Sequence, residues 1–106
     1  MQLSFMTPAL HAMVLEPKPE DWPSLGALLD VKALVADLIA ASNLLEVPVG
    51  VPDLDSIATE NLDLVAGHSI VLECKVDHVP VRRRPDGRPD WEWIHRVQIV
   101  GWRRND

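Results

Sequence analysis

The strongest pattern in the chain is a stripe of apolar residues with helical spacing near its middle. Its members recur three and four positions apart and so share one helix face: Val31, Leu34, Val35, Leu38 and Ile39. Asp30 is placed to cap the first free amides of such a helix, and Asn43 followed by Pro48 marks its end. The pattern predicts a main helix over about residues 30–43, to which residues 24–29 can add a turn.

A weaker pattern follows the irregular stretch at residues 44–52. Asp53 or Asp55 can cap a helix whose inward positions are Leu54, Ile57, Ala58 and Leu62. Gly67 can adopt the left-handed conformation that ends such an element. We therefore expect a second, shorter helix over about residues 54–64.

The last forty residues alternate between apolar and polar positions, which is typical of half-buried strands. The alternating apolar positions are Ile70, Leu72, Cys74 and Val76 on the first leg, and Trp91, Trp93, Val97 and Ile99 on the second. Between the legs lies Pro85-Asp86-Gly87, a turn sequence in which each residue favours a reversal of the chain. The pattern predicts a hairpin with strands over about residues 69–82 and 91–102.

The register of this hairpin can be predicted as well. A tip at Asp86 and Gly87 places apolar residues opposite apolar ones and opposite charges opposite each other. The resulting pairs are Val76 with Val97, Cys74 with Ile99, Lys75 with Gln98, Asp77 with Arg96, His78 with His95, and Arg82 with Trp91. Because two strands alone are marginally stable, we expect a third strand from residues 1–16 or residues 47–51.

These elements predict one α+β domain over residues 1–106, in which the helices pack on a small antiparallel sheet. The stripe on the main helix should cover the sheet face that carries Ile70, Leu72, Val76, Val97 and Ile99. The first sixteen residues read as a short buried strand or an irregular arm. The proline-rich segment 17–23 should be irregular, because each proline removes a backbone donor.

Composition and charge indicate the cellular compartment and the classes of partner that we expect. Cys74 is the only cysteine, which is typical of a reducing compartment. The first residues lack the pattern of a signal peptide, and no apolar run approaches the roughly 20 residues of a membrane span. We therefore expect a cytoplasmic protein of bacterial or viral origin without membrane association. The net charge of −6 opposes long-range attraction to nucleic acid, although the bases concentrate after Val65.

The predicted hairpin tip is the main candidate for a binding surface. It combines four arginines with two tryptophans: Arg82, Arg83, Arg84, Arg88, Trp91 and Trp93. Arginine and tryptophan are enriched in the hot spots of protein interfaces, and the same pair serves single-stranded nucleic-acid binding. The alternative is that the tryptophans fill the core and the arginines form a solvated loop.

The sequence gives weaker support for a metal site, for a catalytic cysteine and for mimicry of phosphate by the acidic segment. His78 and His95 face each other in the predicted register, but Cys74 lies about 13 Å from His78 along a strand, so too few ligands remain for zinc. Cys74 among apolar strand residues is typical of a buried hydrophobe rather than a nucleophile. We predict neither a metal nor a cofactor. The spread carboxylates from Glu16 to Asp63 can imitate a phosphate array or simply keep an acidic domain soluble.

Three functional hypotheses follow from the sequence. The leading one is a small, non-catalytic binding protein that engages another macromolecule, a class that includes inhibitors encoded by phages and mobile elements against host machinery. The second is a single-stranded nucleic-acid-binding module that uses the hairpin tip. The third is a hydrolytic or metal-assisted enzyme. The identity of the partner and the oligomeric state stay open.

Overall fold

The computed structural model describes residues 1–78 and 80–105. Over these residues the chain forms β1 (Gln2–Phe5), α1 (Pro8–Leu15), α2 (Leu25–Ala40), β2 (Asn61–Ala66), β3 (Ile70–Val76) and β4 (Arg96–Arg104). Short 3₁₀ turns at Pro19–Asp21, Leu44–Glu46, Leu54–Ser56 and Trp91–Trp93 lie in the connections. Two helices packed on one sheet confirm the predicted α+β class. Neither helix of this described part is long and apolar enough to cross a membrane.

The sheet is mixed rather than wholly antiparallel. Its strand order is β1-β4-β3-β2, and β1 runs parallel to β4, with Gln2 opposite Arg96 and Phe5 opposite Ile99. The prediction of an antiparallel sheet is therefore wrong at this edge. A tight turn forces antiparallel pairing, whereas β1 and β4 are the first and last strands and are joined through the rest of the domain. The expected strand from the first sixteen residues is confirmed by β1.

The hairpin β3–β4 confirms the predicted hairpin and its register near the centre of the sheet. The observed pairs include Cys74 with Ile99, Lys75 with Gln98, and Val76 with Val97. A bulge between Glu73 and Cys74 shifts the pairing further along. The regular strands are shorter than predicted, because β3 ends at Val76 and β4 begins at Arg96. Val79 of the predicted first strand lies outside the described residues.

The main helix begins earlier than predicted. Ser24, not Asp30, is its cap, since the Ser24 hydroxyl accepts a hydrogen bond of 3.0 Å from the Ala27 amide. The helix then ends at Ala40 rather than near residue 43. Four of the five predicted stripe residues are buried, but Ile39 is exposed, so its inward placement is wrong. The buried face includes Ala27 and Leu28 instead, which tilts it away from Ile39.

The second helix predicted at residues 54–64 is wrong. Only Leu54–Ser56 turns, as a 3₁₀ turn, and β2 follows. In β2 the buried residues Leu62, Leu64 and Ala66 alternate with more exposed ones, and this period of two suits pairing with β3. Gly67 is left-handed, with φ +60°, but it turns the chain from β2 to β3 rather than ending a helix.

The second helix of the domain is α1, where the sequence suggested a strand or an arm. Thr7 caps it by accepting a hydrogen bond of 3.1 Å from the Leu10 amide, and Pro8 occupies the first helical position, where its missing donor costs nothing. The indole N–H of Trp22 donates to the Met13 carbonyl at 3.3 Å. The Trp22 ring lies 4.9 Å from that of Trp102. This contact joins the irregular proline-rich segment to β4.

Candidate functional site

The hairpin tip (residues 82–93) reverses the chain through a three-residue loop. The Gly87 amide donates to the Arg84 carbonyl at 2.9 Å, and the Arg84 amide donates to the Arg88 carbonyl at 2.8 Å. Gly87 has φ +86°, which matches the glycine position of such a loop. The Asp86 carboxylate accepts from the Arg88 amide at 3.0 Å, and this bond lowers the pKa of Asp86. The turn thus stabilises itself with local side-chain contacts.

The extra loop residue changes the pairing predicted at the tip. Arg83 pairs with Pro89, and the Asp90 amide donates to the Arg82 carbonyl at 2.9 Å. Arg82 therefore lies opposite Asp90, and its predicted pairing with Trp91 is wrong. The predicted register assumed a two-residue tip. The three-residue loop shifts the pairs next to it by one position, and the predicted pairing returns at Val76 and Val97.

The two tryptophans of the tip have different environments. Trp91 is only 4% exposed, and its indole N–H donates to the Leu54 carbonyl at 3.2 Å. Trp93 is 49% exposed. A strand would place both rings on one side, but they belong to a 3₁₀ turn, where residues two apart point in different directions. Trp91 therefore anchors the tip to the core, and Trp93 presents its ring to solvent.

Arg82 stacks on the exposed ring. Its guanidinium carbon lies 4.4 Å from the centroid of the Trp93 ring, and its Nε lies 3.8 Å from the Asp90 carboxylate. The Arg82 side chain is 61% exposed. Arg82 therefore contacts an indole ring, but the ring is that of Trp93 and not that of its predicted partner Trp91. The result is a flat, solvent-facing pair that combines a cation with an aromatic surface.

Two further arginines of the tip are engaged by acids of this chain. Arg83 lies 2.7 Å from Glu60. Arg84 lies 3.3 Å from Asp55 and 2.9 Å from Asp86, and its hydrogen bond to Asp86 raises the pKa of Arg84. These contacts join the tip to the segment that precedes β2. Each exposed pair stabilises the fold little on its own, but together they direct the guanidinium groups toward the protein.

Arg88 is turned in the same direction, because its guanidinium group donates to the backbone carbonyl of Asp55. Asp55 and Glu60 are partners of the tip that the sequence did not predict. They lie between 23 and 33 positions away from the arginines that they contact, so no local pattern connects them. Arg83, Arg84 and Arg88 therefore turn toward other parts of this chain. Arg82 instead stacks its guanidinium group on the exposed ring of Trp93.

A second small surface borders the tip. The turn Leu44–Glu46 packs against the turn Trp91–Trp93, and the buried Asn43 amide donates to the Glu92 carbonyl at 3.1 Å. Leu45 is 60% exposed on this turn. A cleft of about 280 Å³ opens here between two 3₁₀ turns, and its lining is Leu44, Leu45, Val47, Val51, Pro52, Asp53, Leu54 and Asp55. A cleft lined by apolar side chains and by the acids Asp53 and Asp55 therefore lies next to the tip.

The two opposed histidines come together as the sequence predicted, with ring centroids 6.3 Å apart. The Nε2 atom of His78 accepts from the amides of His95 and Arg96 at 3.0 and 3.1 Å, so it is not free to bind a metal. The Nδ1 atom of His95 lies 3.1 Å from the Ser42 carbonyl. Across residues 1–78 and 80–105, no three side chains of histidine, cysteine or acidic type are grouped to hold a metal ion.

Cys74 is sealed in the core, as its strand position predicted. It is 2% exposed, and burial, together with the charges of Asp63 and Glu73, raises the pKa of its thiol to about 12. At neutral pH the thiolate that nucleophilic catalysis needs is therefore almost unpopulated. This observation argues against the hypothesis of an enzyme that uses Cys74.

Comparison of the chain with known protein families, with curated proteins and with solved structures finds no match.

Proposed function

We propose that this chain is a non-catalytic binding module that engages another protein through the exposed Arg82–Trp93 pair. The observation that carries the proposal is the stacking distance of 4.4 Å in a pair whose members are both about half exposed or more. Arginine and tryptophan are the residue types most enriched at the centres of protein interfaces. A planar cation on an indole offers a partner both apolar area and hydrogen-bond donors.

The anchoring of the tip supports the same proposal. Trp91 is buried against Leu54, and Arg83 and Arg84 are tied to Glu60 and Asp55. The turn that carries Trp93 is therefore held in place before any partner arrives. Binding then orders few additional groups, and this lowers the entropic cost of association.

The charges around the tip favour a protein over a nucleic acid. Three of the four tip arginines are paired with carboxylates, namely Asp86 and Asp90 in the same segment and Asp55 and Glu60 across from it. Single-stranded nucleic acid requires an open row of cations beside its stacking rings. Here a phosphate would have to displace existing carboxylate partners. An apolar protein surface, with a side chain for the cleft beside Leu45, meets no such competition.

The test is site-specific photo-crosslinking. A photoreactive phenylalanine analogue at Trp93 should capture a specific protein in extracts of the native cell, whereas the same group at exposed Met6 should not. With that protein purified, Trp93→Ala and Arg82→Ala should each weaken binding by tenfold or more, since hot-spot truncations cost about 2 kcal/mol or more. Arg104→Ala, an exposed arginine at the end of β4, serves as the matched control.

Two results would overturn the proposal. One is an affinity that changes less than twofold in both tip variants while their thermal unfolding matches the wild type. The other is saturable quenching of tryptophan fluorescence by an oligonucleotide at low salt that disappears in Trp93→Leu, which would assign the tip to nucleic acid instead.

A further inference from the structure

The outer face of α2 is apolar, although none of the residues that the structure describes covers it. Leu25, Leu29 and Ile39 are all more than half exposed. Ala33, Ala36 and Ala40 lie between or beside them on the same solvent-facing side. The opposite face of the helix is the buried one that packs on the sheet. A helix that is apolar on both faces is typical of a helix covered on both.

A groove beside this face has the shape of a helix-packing hole. It has a volume of about 220 Å³ between α1 and α2, and its lining is Val14, Leu15, Pro17, Lys32, Val35, Ala36 and Ile39. The four α2 residues in this lining are spaced i, i+3, i+4 and i+7. This is the diamond of residues that receives one side chain of a facing helix in knobs-into-holes packing.

We propose that the occupant is α2 of a second copy of this chain, packed antiparallel about a two-fold axis. Leu29 would be the side chain that enters the groove beside Ala36 of the second copy. This register places Leu25 opposite Ala40 and puts the axis between Lys32 and Ala33. Each contact occurs twice, as an isologous interface requires.

The distribution of side-chain size is the reason to choose a second copy over an unrelated helix. On this face Leu25 and Leu29 lie in the N-terminal half of α2, opposite the small residues Ala40 and Ala36 of the second copy. Ile39, the third large residue, forms a wall of the groove that receives Leu29. An antiparallel two-fold therefore sets large side chains against small ones at both ends. Ridges then enter grooves without overpacking.

The size of the face sets the expected strength of the dimer. About ten residues of α1 and α2 would contribute, whereas standard interfaces use roughly 20–30 residues per side. We therefore expect a weak dimer in exchange with monomer. The stems of the two Lys32 side chains can lie along the grooves while their ammonium groups reach solvent. Since these like charges lie near the axis and each chain carries −6, salt should strengthen the dimer by screening.

Analytical ultracentrifugation of the full chain, from about 10 µM to about 1 mM and at low and high salt, tests the dimer. The wild type should show a concentration-dependent shift toward twice the monomer mass of 11.8 kDa, with the larger shift at high salt. Leu29→Glu should remain monomeric over the whole range. Leu45→Glu alters a leucine of similar exposure on another surface (60% against 54%) and should dimerise like the wild type.

A cysteine pair gives an independent measurement of the register. Leu29→Cys combined with Ala36→Cys should form a covalent dimer under mild oxidation, because the two sites oppose each other across the axis. The same two positions are two turns apart on one helix, about 10 Å, too far for an intrachain disulfide. The buried native thiol of Cys74 should not interfere.

A monomeric mass at about 1 mM in high salt would overturn the inference, as would a dimer that Leu29→Glu leaves intact. A photo-crosslink from Leu29 to a different protein, with the chain itself monomeric, would assign this face to that protein. The dimer is independent of the proposed binding function: Trp93→Ala should leave the association unchanged, and Leu29→Glu should leave the affinity of the tip for its partner unchanged.

Discussion

The buried thiol of Cys74 should make the free energy of unfolding fall at alkaline pH. Cys74 lies on the core face of β3, opposite Ile99. Burial is the largest cause of its shift, followed by the charges of Asp63 and Glu73, and the pKa rises from 9.0 to about 12. The unfolded chain loses this environment, so its thiol titrates near the ordinary value. Between these two values, the folded chain keeps a proton that the unfolded chain releases.

The direction and the magnitude of the change in unfolding free energy follow from this difference in bound protons. Above pH 9.0 the unfolded state binds fewer protons than the folded state, so stability decreases as pH rises. The slope is about 1.4 kcal/mol per pH unit for one group. Between about pH 8 and about pH 11 the loss should be about 3 kcal/mol. The decline should stop near pH 12, where the folded thiol also ionises, and the group should contribute no pH dependence at neutral pH.

Urea unfolding followed by tryptophan fluorescence, in the presence of a phosphine reductant, measures this dependence. Few other side chains can add to the alkaline change in unfolding free energy, because the chain has no tyrosine and only three lysines. Cys74→Ala is the control: it should lower stability at every pH through the space it leaves, but with a much flatter alkaline decline. An equally steep decline in wild type and Cys74→Ala would refute the reasoning.

Two further predictions concern backbone space and the anchor of the tip. Gly50 and Gly87 share φ +86°, but a Cβ at Gly50 would lie 2.4 Å from the Val65 carbonyl oxygen, whereas one at Gly87 would meet nothing within 4 Å. Gly87→Ala should lower the free energy of unfolding by about 1–2 kcal/mol, because alanine disfavours the left-handed conformation. Gly50→Ala should lower it by about 1–3 kcal/mol more, because the added methyl group overpacks the site. Equal urea midpoints for the two variants would contradict this. Trp91→Phe should cost about 1–3 kcal/mol, since it leaves the Leu54 carbonyl without its donor, and should speed hydrogen exchange across the tip. Unchanged exchange would show that Trp91 is not the anchor.

The elements that the sequence predicted well depend on local patterns. The apolar spacing of α2 and the alternation in β3 and β4 are repeated over many residues, so each pattern outweighs any single exception. The central pairs of the hairpin, such as Val76 with Val97 and Cys74 with Ile99, followed from matching two such alternations across one turn. A slip by one residue would have exposed the apolar face of both strands, and for this reason the register was predictable.

The segment that failed shows the limit of local patterns. Residues 54–64 contain apolar positions that fit a helix about as well as a strand, and short apolar runs are ambiguous in this way. The outcome was decided by β3, which offers an open edge for Leu62 and Leu64 to pair against. The same holds for β1, whose parallel partner β4 is the last strand of the chain. No nearby residue carries information about either pairing.

The hairpin tip likewise has features that the sequence determined and features that only the tertiary structure decided. The sequence alone determined that arginines and tryptophans would meet at the end of a hairpin, because a turn signal and two alternating strands lie within one short stretch. Only the tertiary structure decided which of them face solvent. A 3₁₀ turn separates buried Trp91 from exposed Trp93, and acids such as Asp55, distant in sequence, neutralise most of the guanidinium groups. Burial and ion pairing depend on the distances between segments, and those distances exist only once the chain has folded.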